Sequence, residues 1–438
     1  MDTDDELATL DLLDAVVRKS LLVADRSASQ TRFSMLETIR QFAEEQLVQT
    51  GEADGTRTMH AHHFGGRETD ALAIWDSPRQ REAYDWLALE LPNLRAAFRW
   101  AADGGDLDTA AAIATYAGFL GFWVEQLEPV AWAEETIEPA RAANHRRLPQ
   151  LYAIATHCYA TGRLDDSLRY AESGRTAIDS GHFDPVPYDF ETWLGGPYMW
   201  TGVPDQWLEL CRHTITQGRG GRYFAQANLV VVLTFNGCAE DALAASERLV
   251  AGAEETENPI AICYALLAHG YARRSTDPTA AYEDFYRGLT IAQATGNRQV
   301  ESHLAGDLSW IAAARGQTFV AFDYLTLEIR NHYDSGSFSL MLSPLLILCV
   351  VLHGLGHTEP AATISGFANT PFTYVSFGEM NDLVTHLREA LGNDAYDAIA
   401  RVGDRMTPAA MATYALDQID LARAELDSTQ QLPKPPNP

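Results

Sequence analysis

Apolar positions recur at helical spacing along most of the chain, with one short interruption near its start. Residues 7–17, LATLDLLDAVV, place Leu7, Leu10, Leu12, Leu13, Val16 and Val17 at the spacing of a helix face. SLLVAD, 20–25, then reads as a strand, RSASQ, 26–30, as a polar turn, and TRFSML, 31–36, as a second strand. In that second strand Phe33 and Met35 alternate with Arg32 and Ser34. Glu37 and Thr38 lead into a helix carrying Ile39, Phe42, Ala43, Leu47 and Val48, which GEADG, 51–55, stops. The predicted order is helix, hairpin, helix.

From about residue 68 the pattern is helix after helix. Residues 81–106 set Trp86, Leu87, Leu91, Leu94, Ala97, Phe98 and Ala101 near one face, and Pro92 inside that run predicts a break or kink. TAAAIATYAGFLGFWVEQ, 109–126, is apolar nearly all round, as a buried helix is. A loose period follows. Turn signals anchored at Gly162, Gly202, Gly237, Asp277, Gly316 and Gly356 stand 40, 35, 40, 39 and 40 residues apart. Each separates a helix with an apolar or aromatic face from an Ala-rich second helix. Irregular helix–turn–helix repeats of this length are the mark of tetratricopeptide-like solenoids. Such a pair cannot bury its apolar stripe alone, so stacked neighbours share one core. Ala242, Ala245, Ala280 and Ala281 allow close helix approach. Tyr159, Trp200, Phe235, Tyr271 and Trp310 are expected to fill the seams, core packing being the favoured role; the alternative is that some line a groove for a peptide or small ligand. Residues 380–426 predict two or three further helices, with Thr407 and Pro408 as an N-cap and first helical residue. DSTQQLPKPPNP, which ends the chain, reads as a disordered tail.

The first hundred residues closely resemble part of a known family. VVRKSLLV and FSMLETIRQFA, followed by RTMHAHHF, 57–64, and WLALELPNLRAAFRWA, 86–101, are similar in content and order to the segments behind the NTPase core of bacterial signal-transduction ATPase regulators. That family includes large LuxR-like and cyclase-linked regulators. The resemblance implies that residues 1–56 are part of a winged-helix segment that relays the state of an NTPase core to a sensor. It also implies ATP binding, and a DNA-binding or cyclase domain, in full-length relatives. This chain departs from the pattern by lacking a Walker A sequence and the first winged-helix helices, which points to a remnant, a split partner or a fragment.

Charge and composition narrow the functions. The 438 residues carry a net charge of −28, and 46% are hydrophobic, enough for sizeable cores in more than one unit. Residues 1–60 alone hold twelve Asp/Glu against six Lys/Arg, so direct duplex binding by the hairpin region is disfavoured. Only Lys19 and Lys434 are lysines, a codon-usage trait of high-GC, actinobacteria-like coding sequences. The acidic N-terminus is not a secretory leader, and every apolar run is too short or too interrupted to span a bilayer, so a cytoplasmic protein is expected. The cysteines Cys158, Cys211, Cys238, Cys263 and Cys349 form no CxxC pair and are expected to be buried free thiols.

Candidate chemistry is sparse. His60, His62 and His63 in HAHHF lack the ligands that would complete a metal site. QGRGGRYF, 217–224, is Gly-rich with two arginines but has no phosphate-loop spacing. Asp165 and Asp166 adjoin at a repeat turn, where carboxylates more often cap a helix than exchange protons. No Walker A, GxGxxG or GxSxG sequence occurs, so no catalytic, cofactor-binding or metal residue is assigned. Arg18, Arg32 and Arg40 are candidate contacts to acidic groups of a neighbouring domain.

The sequence therefore predicts an all-α protein: a partial winged-helix segment with a small β-hairpin (1–56), a linking helical region (57–145), tetratricopeptide-like repeats (146–370), a C-terminal helical cap (371–427) and a tail (428–438). The expected function is the non-catalytic sensor or protein-interaction portion of a LuxR-like, ATPase-type transcriptional regulator. It needs no cofactor of its own, and it engages a protein, peptide or small effector in the solenoid groove, with an NTPase domain in trans as a further partner. Alternatives are a stand-alone peptide-binding scaffold and a regulatory fragment of a cyclase-linked ATPase.

Overall fold

A computed structural model describes residues 3–26, 31–217, 223–370 and 379–430. Among the described residues it is all-α apart from one two-stranded antiparallel ribbon. No helix among them is long and apolar enough to cross a membrane. The chain divides into two compact units, residues 1–63 and 64–438. The predicted repeat-linking region, 57–145, straddles that division.

The first unit follows the predicted order. Helix α1 (Thr3–Arg18) leads into β1 (Val23–Asp25) and β2 (Arg32–Ser34), then α2 (Glu37–Thr50) and most of α3 (Ala53–Gly65). The ribbon pairs Val23 with Ser34, Ala24 with Phe33 and Asp25 with Arg32. Each strand is shorter than its alternation predicts, and most of the RSASQ turn lies outside the described residues. Gly51, at φ +74, ends α2 in the left-handed conformation that glycine adopts at no steric cost. Helix α2 buries none of its residues; Phe42 and Val48 are exposed along it.

In the second unit, α4 (Glu68–Trp75), α5 (Gln80–Asp103), α6 (Leu107–Trp123), α7 (Glu128–Ala142), α8 (Leu148–Ala155) and α9 (Leu164–Ser180) come first. Next are α10 (Gly196–Trp200), α11 (Asp205–Thr216), α12 (Phe224–Phe235), α13 (Ala239–Ser246) and α14 (Leu249–Glu254). Three regular pairs follow: α15 (Pro259–Arg273) with α16 (Pro278–Thr295), α17 (Arg298–Ala314) with α18 (Thr318–Ser335), and α19 (Leu342–Gly354) with α20 (Thr358–Phe367). The C-terminal cap is α21 (Glu379–Leu391), α22 (Asn393–Asp404) and α23 (Pro408–Gln430). Single 3-10 turns, Thr156–Thr161 and Pro187–Gly195, stand where a repeat helix is broken.

The predicted period is the period of the pairs. The five anchor glycines, Gly162, Gly202, Gly237, Gly316 and Gly356, all take φ between +70 and +93, at the turn inside a pair. Asp277 does a different job at the same place: its carboxylate caps α16 by accepting from Ala280 N at 3.0 Å, ahead of Pro278. Thr407 caps α23 as predicted, accepting from Ala410 N at 3.2 Å. Helix α6 is as buried as its composition requires, from Thr109 to Gly121.

The predicted break at Pro92 does not occur; α5 runs through it from Gln80 to Asp103. Pro92 and Ala88, whose carbonyl loses its partner, are both exposed, which leaves that oxygen open to solvent. Leu87 on one side and Leu94, Ala97 and Phe98 on the other are buried and hold both halves to one core. The C-terminal tail lies outside the described residues beyond Gln430, and helix α23 continues three residues past its predicted end.

The solenoid winds far enough to meet itself. Gln80 at the start of α5 donates to Asn258 Oδ1 at 3.0 Å, and Asn297 donates to Gln80 Oε1 at 2.8 Å. Tyr84 donates to Asn297 Oδ1 at 2.7 Å, and Trp75 Nε1 donates to Tyr84 at 3.0 Å. These bonds span up to 217 residues of sequence. Further round, Ser339 N donates to Ala160 O at 3.0 Å. The N-terminal ends of α15 and α17 are thus tied to the first helices of the unit.

Replacing Asn297 by Ala leaves the Tyr84 hydroxyl proton and Gln80 Oε1 without partners in a buried site and should cost about 1–3 kcal/mol in urea unfolding. At the α20–α22 crossing, a Cβ on Gly403 would lie 1.8 Å from the Thr363 carbonyl oxygen, and one on Gly366 2.1 Å from that of Ala400. Backbone cannot give way as a side chain can, so Gly403→Ala should cost about 3 kcal/mol by the same measurement.

Candidate functional site

The first helix of each successive pair sends one stripe of side chains to a common cavity of about 460 Å³. Helix α12 contributes Asn228, Val231 and Phe235, α15 contributes Tyr264, Leu267, Tyr271 and Arg274, and α17 contributes Gln299, His303, Asp307 and Trp310. These positions are three and four residues apart, the spacing of one helix face. Phe122 and Trp123 at the end of α6, with His157, Tyr159 and Trp193 from the 3-10 turns, form the facing wall.

The aromatic wall depends on a strained turn. Tyr188 and Asp189 both take left-handed backbone conformations, at φ +58 and +59, a geometry that costs of order 1–3 kcal/mol per residue outside glycine. The turn swings Phe190 and Trp193 inward, where their rings stack at 4.0 Å and Phe190 meets Phe119 at 3.9 Å. Gly195 then lets Trp207 lie flat on the backbone; a Cβ there would sit 1.8 Å from the indole. Asn228 holds two elements together, donating to Thr192 Oγ1 at 2.8 Å and accepting from Tyr264 at 2.5 Å.

The opposite wall is charged, with Asp307 and Glu328 buried. Arg274 faces Asp307 at 3.4 Å. His332 lies 3.1 Å from Glu125 and 3.8 Å from Glu328, and Arg298 lies 3.5 Å from Glu125. The His332 contacts are close enough to attract but are not aligned as hydrogen bonds. Burial pushes the Glu328 carboxyl up to about 7, against the pull of His332. Burial likewise pushes Asp307 up to about 6, opposed by Arg274 and Tyr271. Burial works against the charge on His332, but its two carboxylates win and raise it to about 9. His157 and His303 have no such partners, and burial lowers them to about 3 and about 4, so both are neutral near pH 7.

Two buried acceptors of this wall, Glu328 Oε2 and Gln299 Oε1, have no hydrogen-bond partner. The indole nitrogens of Trp123 and Trp207 also lack an acceptor. Buried polar groups are otherwise almost always paired, so their grouping in the lining of one cavity marks a place built to be filled.

The residues singled out from sequence divide sharply. Tyr159, Trp200, Phe235, Tyr271 and Trp310, read chiefly as seam packing, all line the cavity, and each is only partly buried. They also pack as expected, Tyr159 on Trp200 at 5.7 Å and Phe235 on Tyr271 at 5.6 Å, so one face of the seam borders the cavity. Arg18 pairs with Asp14 on α1, and Arg40 grips Glu37 on α2 through contacts of 2.9 and 2.7 Å; Arg32 lies in β2. His60, His62 and His63 lie on α3, and no group of metal ligands occurs among the described residues. Asp165 and Asp166 sit in the first turn of α9 rather than at its cap, and Asp166 pairs with Arg163 and Arg169. Four cysteines are buried as expected, but Cys238 is exposed at the start of α13. Residues 218–222 of the Gly-rich stretch lie outside the described residues.

Arg274, Gln299, His303, Asp307 and Glu328 carry the polar wall, with His332 and Glu125 behind Glu328, and none of them was singled out. A local signal existed for α17. In RQVESHLAGDLSWIAAA, Gln299, His303 and Asp307 recur every four residues beside the apolar Val300, Leu304, Leu308 and Ile311. Polar residues at one edge of an apolar face of a buried helix point to a lined cavity.

No family model matches the chain. It is similar to proteins described as HTH-type transcriptional regulators in Mycobacterium tuberculosis and Mycobacterium bovis, at 34% identity over 141 residues. That stretch is 31% of this chain and 15% of the relatives' length. Among solved structures, the Rap protein complexed with Competence and Sporulation Factor superposes with a TM-score of 0.46 at 13% identity, covering 83% of this chain and 99% of that one.

The electrostatics give a pH prediction. Glu328 holds its proton more tightly folded than unfolded, so stability falls as pH rises from about 4.5 to about 7. His332 contributes stability that is complete below about 6.5 and is lost as pH rises through about 9. Below about pH 6.5 the lowered His157 and His303 act in the opposite sense, gaining stability as pH rises. The melting temperature should therefore decline from about pH 6.5 to pH 9, and Glu328→Gln should flatten the part of that decline below pH 7.

Proposed function

We propose that the chain is the effector-sensing part of a bacterial transcriptional regulator, and that the cavity is where the effector binds. The observation that carries this reading is the cavity itself: an aromatic wall facing a polar one, with buried acceptors left unpaired. Its volume suits a small molecule or one or two side chains better than a long peptide. The partial similarity to HTH-type regulators supplies the regulatory context. The helix–hairpin–helix order of the first unit agrees with the winged-helix segment of LuxR-like ATPase regulators.

In this reading the chain is not an enzyme. The acids of the cavity face Arg274 and His332, and burial pushes the Cys158 thiol up to about 12, far from a reactive thiolate. An ATP-binding core would act from a separate domain in the cytoplasm, meeting the first unit through Arg18, Arg32 and Arg40. Arg18 and Arg40 are held by exposed carboxylates of their own helices, pairs weak enough to exchange for a partner's. The net charge of −28 argues against nucleic-acid contact by this chain itself.

Intrinsic fluorescence tests the reading, because Trp123, Trp193, Trp200, Trp207 and Trp310 all line the cavity. Titration with 2-phenylethanol, a neutral aromatic probe, should change the emission saturably. Ser343→Trp, which fills the cavity from α19, should abolish the saturable change while the circular dichroism stays helical. An unaltered titration in that variant would remove the cavity from consideration.

A further inference from the structure

The chemistry of the effector can be narrowed, on the basis of the effector-site reading just given. Among the unpaired groups that line the cavity, those on the α17–α18 side are acceptors, Glu328 Oε2 and Gln299 Oε1; the unpaired donors behind them, Arg298 Nε and the two His332 nitrogens, do not line it and face Glu125 and Glu328. Glu328 is 1% exposed and Gln299 7%, so neither is served by bulk water. The unpaired donors are accounted for differently. Trp207 Nε1 lies against Gly195, and Trp123 stands edge-to-face with Trp193 and Tyr264 at 5.7 and 6.1 Å. What the polar wall lacks is a donor.

It also lacks a free cation. Arg274 is engaged by Asp307, and His332 lies between Glu125 and Glu328. His157 and His303 carry no charge near neutral pH. The walls beside this acidic end are indole and phenol rings, whose faces attract positive charge. A surface carrying −28 concentrates small cations around the molecule. An anion would meet Glu328 and Asp307 with no unspent positive partner.

We propose that the cavity recognises a hydrophobic ammonium, its apolar or aromatic body among Trp193, Trp200, Tyr264 and Tyr271 and its charged, hydrogen-donating end at Glu328 and Gln299. Glu328 supplies the opposite charge and Gln299 a second acceptor. The glycine at 306 matters here. A Cβ at that position would lie 2.6 Å from Glu328 Oε2, so only glycine leaves the carboxylate in place against α17.

Three probes of one shape test this with the full chain: 2-phenylethylammonium, 2-phenylethanol and phenylacetate, each titrated by calorimetry at pH 7.5. The ammonium should bind at least about tenfold more tightly than the alcohol, and phenylacetate should not bind measurably. Glu328→Gln should erase the preference of the ammonium over the alcohol. Equal or tighter binding of the alcohol or the acid overturns the proposal and leaves the effector-site reading standing. Failure of all three to bind overturns both. A preference that survives in Glu328→Gln overturns the assignment to that carboxylate. Should that variant not fold, the ranking of the three probes on the native chain decides the proposal alone.

Discussion

A stack of helix pairs presents an open face unless it returns to its own beginning, and here the return is made by side-chain amides buried in the joint. Gln80, Asn258 and Asn297 exchange hydrogen bonds with one another and with Tyr84, across elements far apart in sequence. Asn258 is also the cap of α15, its Oδ1 accepting from Ile260 N and Ala261 N. The same group that starts a repeat helix therefore locks that helix to the first turn of the solenoid. An apolar joint would stabilise as well but would tolerate sliding; directional bonds between buried amides admit one register. The cavity owes its second wall to that register.

The cavity in turn concentrates what proteins usually avoid. Carboxylates, an imidazolium and unpaired acceptors sit beside one another under low exposure, where each charge is costly without a partner. The chain tolerates this by sharing. His332 serves two carboxylates, Arg298 reinforces Glu125, and Arg274 answers Asp307. Glu328 Oε2 and Gln299 Oε1 are the acceptors left over at the cavity, and burial raises the affinity of Glu328 for a proton.

The all-α class, the period and the short hairpin were legible in the sequence because they are local. A glycine that needs positive φ, a Thr–Pro cap and an apolar face each announce themselves within a few residues. Gly316 and Gly356 illustrate this: they mark pair turns without reference to anything distant. Pro92 misled for the complementary reason, since the packing of Leu87 and Phe98 on either side of it is tertiary. The cavity was half legible. Five seam aromatics were picked out correctly, but whether an aromatic fills a seam or lines a void depends on what faces it across the turn of the superhelix. Glu125 and His332 were invisible because their meaning lies in each other, more than two hundred positions apart. Nothing in the local sequence around Glu125 or Glu328 distinguishes an acid destined for a buried cluster from one on a solvated face.

The self-contact also restricts how such a chain can change its length. Open solenoids gain and lose whole repeats with little penalty, because each unit touches only its neighbours. Duplicating a pair between α7 and α15 here would carry Asn258 and Asn297 past Gln80 and Tyr84 and dissolve the joint. Copy number inside the loop of chain from Gln80 to Asn297 is thereby frozen, and variation among related chains is expected to accumulate outside it.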